Sequence, residues 1–362
     1  MPFFSSRMSL GCPLMLMLLT VSNWPTANAG PPSQDWVGNW AFSLPDGYPA
    51  WLRIAHVAPN RKPDGGPSEK SNTRNRDPDN PIELLWSVGS ARSVTKFEWV
   101  DETLRLYRRL SWRPAGGSSV RKIDQPLVAR IDGDEMRLTF RQYDPAQREQ
   151  SARFVTIIGK RMPPLPSKPN LDNVRFGEPI LLFNGQDLSG WQLSSSEKRN
   201  GWRAANGVLI NETPKRDFGA YGDYGNLITE QSFIDFRLSL EYNVPKGGNS
   251  GVYLRGMYEV QVVDRDSSMQ GIQGPGAIFG RIRPSHNAGR PGGQWNRLEV
   301  TLVDRHVTVV LNGDRVIDNQ PLLGCTGGGI GSDDTRPGPL LLQGDHTNVR
   351  YRNLKLRPRL TE

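Results

Sequence analysis

A proline-rich stretch, from Met162 to Pro169, divides this chain into two halves, and neither half contains an amphipathic helix of useful length. Proline cannot donate to a sheet ladder and holds the backbone extended, so the stretch predicts a semi-rigid connector. Both halves consist instead of short β-type runs separated by turn residues. The pattern predicts an all-β chain with two domains.

The turn residues indicate how each half is built. About eight runs precede the connector, which predicts a small up-and-down barrel or a sandwich. About a dozen follow it, with Asn206-Gly207 and Asn312-Gly313 at hairpin positions. Long glycine-rich connections make a jelly-roll β-sandwich the simplest architecture for them. We predict an accessory domain at 30–161, a connector at 162–177 and a second domain at 178–362.

Residues 1–29 have the pattern of a signal peptide. Arg7 is followed by a short apolar run from Leu14 to Val21 and by the small-x-small sequence Ala27-Asn28-Ala29. The apolar run is too short to span a bilayer, so we expect cleavage, export to the periplasm or beyond, and no membrane span in the mature form. Cleavage also removes Cys12 and leaves Cys325 alone, so no internal disulfide is expected.

Charge and missing motifs exclude several functions. The 45 Lys and Arg residues exceed the 37 Asp and Glu residues by 8, but they are spread among the acids. Without a basic stripe or a known motif, nucleic-acid binding is not expected. The chain also lacks the serine-hydrolase elbow, the zinc-protease helix motif and the glycine patterns of nucleotide-binding proteins, so no nucleotide cofactor is expected.

Polar residues lie at strand spacing on two consecutive runs, Gly248–Arg255 and Tyr258–Asp264. Alternation sends Glu259 and Gln261 to one face of the sheet, and a short turn would bring Arg255 close to Glu259. The pair could be an ordinary ion pair on a solvated face. Alternatively, Arg255 neutralises a sugar oxyanion and Glu259 is a base or a metal ligand.

A second candidate cluster follows an apolar run near the C-terminus. His346 stands there beside an acid and a flexible glycine, a setting that suits a general acid or a metal ligand. The other interpretation is a capped surface histidine. The polar residues predicted to bind substrate are Asn249, Gln261, Asp264, Glu299, Gln343 and Asp345.

Seven segments of the second half carry a recognisable pattern: Leu182–Trp191, Gly248–Arg255, Tyr258–Gln261, Gly276–Gly280, Trp295–Glu299, Leu311–Gly313 and Leu342–His346, which leads into Tyr351–Leu354. In this order, from about Glu178 to Pro358, they resemble the 3-keto-disaccharide hydrolase (3-keto-glucoside lyase/hydratase) domain family. The family usually has Gly after the histidine, where this chain has Thr347. The resemblance implies a concanavalin A-like jelly roll that acts on glycosides already oxidised to a ketone at C3.

The implied chemistry gives the candidate residues roles. A C3 ketone acidifies the C2 proton, so a base can remove it, the C1 substituent can leave, and water can add to the enone. On this hypothesis Glu259 is the base, His346 with Asp345 is the acid or a metal ligand, and Arg255 with Gln261 lies at the ketone oxygen. A divalent metal at the enediol oxygens would fit the chemistry, with Glu259, Gln261 and His346 as candidate ligands.

Two alternatives stay open at this point. Direct hydrolysis would use a pair of carboxylates, Glu259 and Glu299. A non-catalytic carbohydrate-binding or cell-surface interaction protein could use the same sandwich. The first half is similar to small lipocalin-like barrels through Trp36–Trp40 and Leu44–Gly47, which implies a small antiparallel β-barrel with an accessory binding or docking role.

Overall fold

The computed structural model describes residues 34–55, 80–112, 120–143, 152–213 and 223–360. The predicted signal peptide lies outside these residues. The described residues form 22 β-strands and three single-turn 3-10 helices, so the all-β prediction is confirmed. No helix in these ranges is long and apolar enough to cross a membrane.

One antiparallel sheet accounts for the first half. Its strands are β1 (Gly38–Ser43), β2 (Pro49–Ile54), β3 (Ile82–Trp86), β4 (Arg92–Ser93), β5 (Lys96–Val100), β6 (Thr103–Trp112), β7 (Arg121–Asp132), β8 (Glu135–Tyr143) and β9 (Ala152–Met162). They run in the order β4-β3-β2-β1-β9-β8-β7-β6-β5. Val94 N donates to Ile82 O of β3 and Thr95 N donates to Tyr107 O of β6. Val94 and Thr95 therefore connect the two edge strands, β4 and β5. The sheet curls around an apolar interior.

Two sheets form the sandwich of the second half. The larger contains β10 (Ile180–Leu181), β12 (Trp202–Ala205), β13 (Val208–Asn211), β15 (Phe236–Asn243), β18 (Asn296–Val303), β19 (His306–Leu311), β20 (Asp314–Pro321) and β22 (Val349–Pro358). The smaller contains β11 (Trp191–Leu193), β14 (Leu227–Phe233), β16 (Asn249–Leu254), β17 (Tyr258–Val263) and β21 (Gly338–Leu342). The smaller sheet has the order β11-β14-β21-β16-β17, so β16 lies between β21 and β17.

Local sequence explains the hairpins and the core. Asn206 and Gly207 have φ of 51° and 74°, and Asn312 and Gly313 have φ of 56° and 97°, the conformations that tight hairpin turns require. In β15, Phe236, Leu238, Leu240 and Tyr242 alternate with polar residues and are buried between the two sheets. The period of two therefore decides which side of each strand enters the core.

The two domains are in direct contact. Arg281 Nη1 of the sandwich donates to Glu83 Oε1 of β3 at 2.8 Å. Ser332 Oγ of the sandwich donates to Phe42 O of β1 at 2.8 Å. The connector lies along the second domain, where Asn319 Nδ2 donates to Pro169 O. The first domain therefore contacts the loop before β18 and the loop before β21.

Candidate functional site

The face of the smaller sheet that points away from the sandwich core carries a group of polar side chains. In the antiparallel register Tyr253 of β16 lies opposite Glu259 of β17, and Gly251 lies opposite Gln261. Val252 and Val260 alternate with them and enter the core cluster. As the alternation predicted, Glu259 and Gln261 share one face.

Gly251 leaves room for the carboxyl of Glu259. A Cβ added at Gly251 would lie 2.5 Å from Glu259 Oε1. The backbone of β16 therefore approaches the carboxyl more closely than any other residue type would allow. The position of the carboxyl depends on this glycine.

The carboxyl of Glu259 is buried, and the hydrogen bond from Tyr253 offsets only part of its lost hydration. Only 4% of the residue is exposed, and its carboxyl is 3.0 Å from the hydroxyl of Tyr253. Burial raises the pKa of Glu259 from 4.5 to about 8, the hydrogen bond from Tyr253 opposes the rise, and the charge of Asp345 adds to it. At neutral pH the carboxyl is therefore largely protonated.

Tyr253 connects this carboxyl to a loop. Its hydroxyl also lies 3.1 Å from Gly327 O, and Gln343 Nε2 approaches it at 3.4 Å. A phenol has one proton, so while Glu259 is protonated it can donate to Tyr253, which in turn donates to Gly327 O. When Glu259 ionises, the tyrosine proton can turn to the carboxylate.

Two buried amide oxygens on the same face have no hydrogen-bond partner within the described residues. They are Oε1 of Gln261 and Oε1 of Gln343, and these residues are 1% and 7% exposed. A buried acceptor without a donor costs stability. Hydroxyl groups are donors that would satisfy both oxygens, and a sugar carries several.

The loop after β21 holds an acid and a histidine in contact. His346 Nδ1 is 2.6 Å from Asp345 Oδ1, and both residues are buried. The carboxylate orients the imidazole ring and favours a proton on Nδ1. Asn226 Oδ1 accepts from Gly344 N at 2.9 Å, and Asn211 Nδ2 donates to Gly344 O at 3.0 Å, so side chains from two other strands or loops fix the loop.

Thr347, where the family usually has Gly, has a defined role in the same loop. Its hydroxyl donates to Asn249 O at 2.9 Å and accepts from Asn249 N at 2.8 Å. The threonine thus attaches the histidine loop to the start of β16. The side chain of Asn249 accepts from Gln261 Nε2 at 3.3 Å, so this predicted substrate-binding residue supports Gln261.

Arg255 does not lie where alternation predicted. It has a φ of 56° and belongs to the turn between β16 and β17, so its side chain does not continue the face of Tyr253. Its guanidinium donates to Asp334 O at 2.8 Å and to Arg336 O. The residue lines a groove of about 520 Å³ between the two domains. The expectation that the short turn brings Arg255 beside Glu259 is therefore corrected: the left-handed turn directs it to the loop before β21.

Glu299 and Asp264 also lie apart from the Glu259 carboxyl. Glu299 is on β18 of the other sheet, where its neighbours Leu298 and Val300 face the core, and it pairs with Arg297 at 2.8 Å. Alternation therefore points Glu299 outwards from the opposite sheet, which does not fit a carboxylate pair with Glu259. Asp264 accepts from Gly247 N and Gly292 N, both at 2.8 Å, and so joins two loops.

The three candidate metal ligands, Glu259, Gln261 and His346, are all buried, and the divalent metal stays a prediction. No three His, Cys, Asp or Glu side chains converge anywhere in the described ranges.

Sequence reasoning missed two groups that hydrogen-bond to Glu259, the hydroxyls of Tyr253 and Thr326. Tyr253 lies on the predicted strand and shares a face with Gly251, but its hydroxyl was not among the predicted partners of the carboxyl. Thr326 Oγ1 accepts from Glu259 N at 2.9 Å and comes from 67 residues away. The alternation of β16 could have found Tyr253; no local signal could have found Thr326.

The second domain matches a known family. Residues 178–357 match the 3-keto-alpha-glucoside-1,2-lyase-like domain. A curated relative, the 3-keto-disaccharide hydrolase of Bacteroides thetaiotaomicron, is 24% identical over 201 residues, which cover 48% of this chain and 69% of the relative.

Two solved structures from Parabacteroides distasonis, each described as a glycosyl hydrolase, are also similar to this chain. They are 21% and 27% identical, cover 51% and 55% of this chain and 94% of their own lengths, and both have a TM-score of 0.40. The family match spans the strands that carry Glu259 and the loop that carries His346. Through its second domain, this chain belongs to the 3-keto-alpha-glucoside-1,2-lyase-like domain family, as the sequence resemblance predicted.

Proposed function

We propose that this chain is a glycoside-cleaving enzyme that acts on 3-keto-glycosides by elimination and hydration. The observation that supports this most is the buried carboxyl of Glu259, whose pKa is about 8. It lies on a sheet face beside Tyr253 and two amide oxygens that have no partner among the described residues. A binding module gains nothing from burying an acid that an amide could replace. An acid–base catalyst gains a group that titrates near neutral pH.

In the proposed first step, the ionised Glu259 takes the C2 proton. The electrons of the C2–H bond form the C1=C2 double bond, and the C1–O bond to the leaving group breaks. His346, oriented by Asp345, gives a proton to the leaving oxygen. Water then adds across the double bond, with its hydroxyl at C1 and a proton at C2, to give the free 3-keto sugar. About a tenth of Glu259 is ionised at pH 7, and a base of raised pKa is also a stronger base.

The buried amide oxygens are proposed to bind sugar hydroxyls. Gln261 and Gln343 lie on the face of Glu259, and each has an Oε1 that lacks a donor within the described residues. The curated relative is named for hydrolysis of 3-keto-disaccharides, which agrees with a sugar of this class. We further propose that the protein is exported, on the basis of the signal-peptide pattern in residues 1–29.

Incubation of the purified protein with a 3-keto-glucoside tests this function. We expect release of the aglycone, and in D₂O we expect deuterium at C2 of the sugar, because elimination removes the C2 proton and hydration returns one from solvent. The unoxidised glucoside should not react, and a parallel reaction with a chelator tests the predicted metal. Tight binding without product would contradict the enzyme, and product without deuterium above a no-enzyme control would indicate direct hydrolysis.

Replacement of Gly251 by Ala should reduce kcat/KM for the 3-keto-glucoside by roughly 10- to 100-fold, because the new methyl displaces the reacting carboxyl. The methyl would lie 2.5 Å from Glu259 Oε1. Gly331→Ala is the matched control, since its methyl would lie 3.7 Å from Met257 Cγ, an ordinary contact. Equal activity of both variants, with circular dichroism unchanged, would show that the reaction does not depend on this position of the carboxyl.

A further inference from the structure

The segment Gly324–Gly328, which we call the bridging segment, lies between the first domain and the Glu259 carboxyl. On its outer side, Gly328 N donates to Ser87 O at 3.0 Å, in the turn that follows β3. A Cβ added at Gly327 would lie 2.2 Å from Gly89 O. The two backbones are thus in direct contact, with no side chain between them.

A buried arginine provides a second attachment of this segment to the first domain. Arg281 donates through Nε and Nη2 to Cys325 O at 2.9 and 2.7 Å, and through Nη1 to Glu83 Oε1 at 2.8 Å. Its guanidinium also lies 4.5 Å from the ring of Trp51 on β2. The arginine and glutamate side chains are 6% and 13% exposed, so water screens this ion pair little.

On its inner side, the bridging segment contacts the groups around the carboxyl. Thr326 Oγ1 accepts from Glu259 N at 2.9 Å, and Gly327 O is 3.1 Å from the Tyr253 hydroxyl. A Cβ added at Gly328 would lie 2.8 Å from the same hydroxyl. The segment therefore excludes water from the Tyr253 side of the carboxyl.

We propose that the first domain is a structural part of the active site, in which the Ser87–Gly89 turn and Glu83 hold the bridging segment against Tyr253 and Glu259. The first domain then supplies positioning residues, which act on the carboxyl through the bridging segment without touching substrate. The inference rests on the proposed function for its effect on turnover, but its effect on the carboxyl can be measured without substrate.

The physical consequence concerns the environment of Glu259. Burial is the main cause of the raised pKa of this carboxyl. If the bridging segment moves away from Glu259, water should reach the carboxyl and lower its pKa. The other titratable groups around it are Tyr253 on β16, Asp345 and His346 after β21, and Tyr351 on β22. None of these belongs to the first domain, so a change made at the contact with Ser87–Gly89 reaches the carboxyl through the bridging segment.

Gly327→Ala tests the proposal, because its methyl would collide with the Gly89 backbone. The pKa of Glu259 would be followed by ¹³C NMR of glutamate-labelled protein, with Glu259→Gln to assign the signal. We expect the pKa to fall by at least about one unit, and kcat/KM to fall by roughly tenfold or more while its pH profile moves to lower pH. Gly331→Ala, in the same loop but with room for the methyl, should change neither.

A second pair of variants keeps the test decisive if Gly327→Ala fails to fold. Glu83→Gln weakens the attachment through Arg281, and Ser332→Ala removes a different contact between the domains, at Phe42 O. Glu83→Gln should lower the pKa of Glu259 and Ser332→Ala should not. An unchanged Glu259 titration in folded Gly327→Ala or Glu83→Gln would overturn the proposal. If the wild-type protein cleaves no 3-keto-glucoside but the variants show the expected changes in the pKa of Glu259, only the proposed function is overturned.

Discussion

Glu259→Gln is expected to lower kcat for a 3-keto-glucoside by about 10³-fold or more, because the amide cannot accept the C2 proton. The amide keeps the shape of the carboxyl and can still accept from the Tyr253 hydroxyl, which lies 3.0 Å from the carboxyl oxygen. The proposed substrate contacts through Gln261 and Gln343 remain, so KM should change little. Steady-state kinetics with aglycone release as the readout measures both parameters.

The matched control is Glu299→Gln, which removes the other carboxylate of the direct-hydrolysis alternative. Glu299 lies on the opposite sheet, its side chain is 37% exposed, and it pairs with Arg297. Its substitution should leave kcat within about twofold of wild type, in keeping with the small contribution of exposed ion pairs. A loss comparable to that of Glu259→Gln would restore the carboxylate-pair mechanism and contradict the elimination mechanism.

Strand alternation predicted the fold and one face of the site because both are local. Glu259 and Gln261 share a face for the same reason that Val252 and Val260 share the core: successive side chains on a strand point to opposite sides. The Asn-Gly turns were equally local, since few residues other than glycine and asparagine adopt positive φ easily.

Arg255 shows where alternation stops being informative. Alternation from Gly251 to Tyr253 predicts that Arg255 continues the same face, but the strand ends at Leu254 and the arginine has a φ of 56°. A non-glycine residue in this conformation is uncommon, and here it is held by carbonyls of Asp334 and Arg336 from the loop before β21. Contacts about 80 residues away in sequence therefore determine where the side chain points.

The enclosure of Glu259 could not be predicted for the same reason. The Tyr253 hydroxyl contacts Gly327 O, which is 74 residues away in the sequence. The bridging segment that contains Gly327 is in turn hydrogen-bonded to the first domain. Only the three-dimensional packing of two domains and a loop determines how much water reaches the carboxyl, and hence its pKa. Strand alternation identified Glu259 as the candidate acid. Its pKa, however, depends on burial by residues that are distant in the sequence.

The same Glu259→Gln substitution is expected to stabilise the protein, and increasingly so as the pH rises. In the unfolded chain the carboxyl has a pKa near 4.5, whereas in the folded protein burial raises it to about 8. A group with a raised folded-state pKa contributes its full stability below pH 4.5 and loses it progressively as the pH rises to about 8. Each pKa unit of difference between the two states corresponds to about 1.4 kcal/mol. Wild type should therefore lose a few kcal/mol of unfolding free energy that the amide variant retains.

Thermal unfolding of both proteins across this pH range measures the effect. At pH 4 the two melting temperatures should be close, between pH 5 and 8 the variant should become more stable by several degrees, and above pH 8 the difference should level off. A difference that does not depend on pH would mean that Glu259 is hydrated in the folded protein and that its pKa is ordinary. A stabilised but inactive variant would instead show that the protein keeps a destabilising buried acid for its chemistry, since function is the remaining reason to retain it.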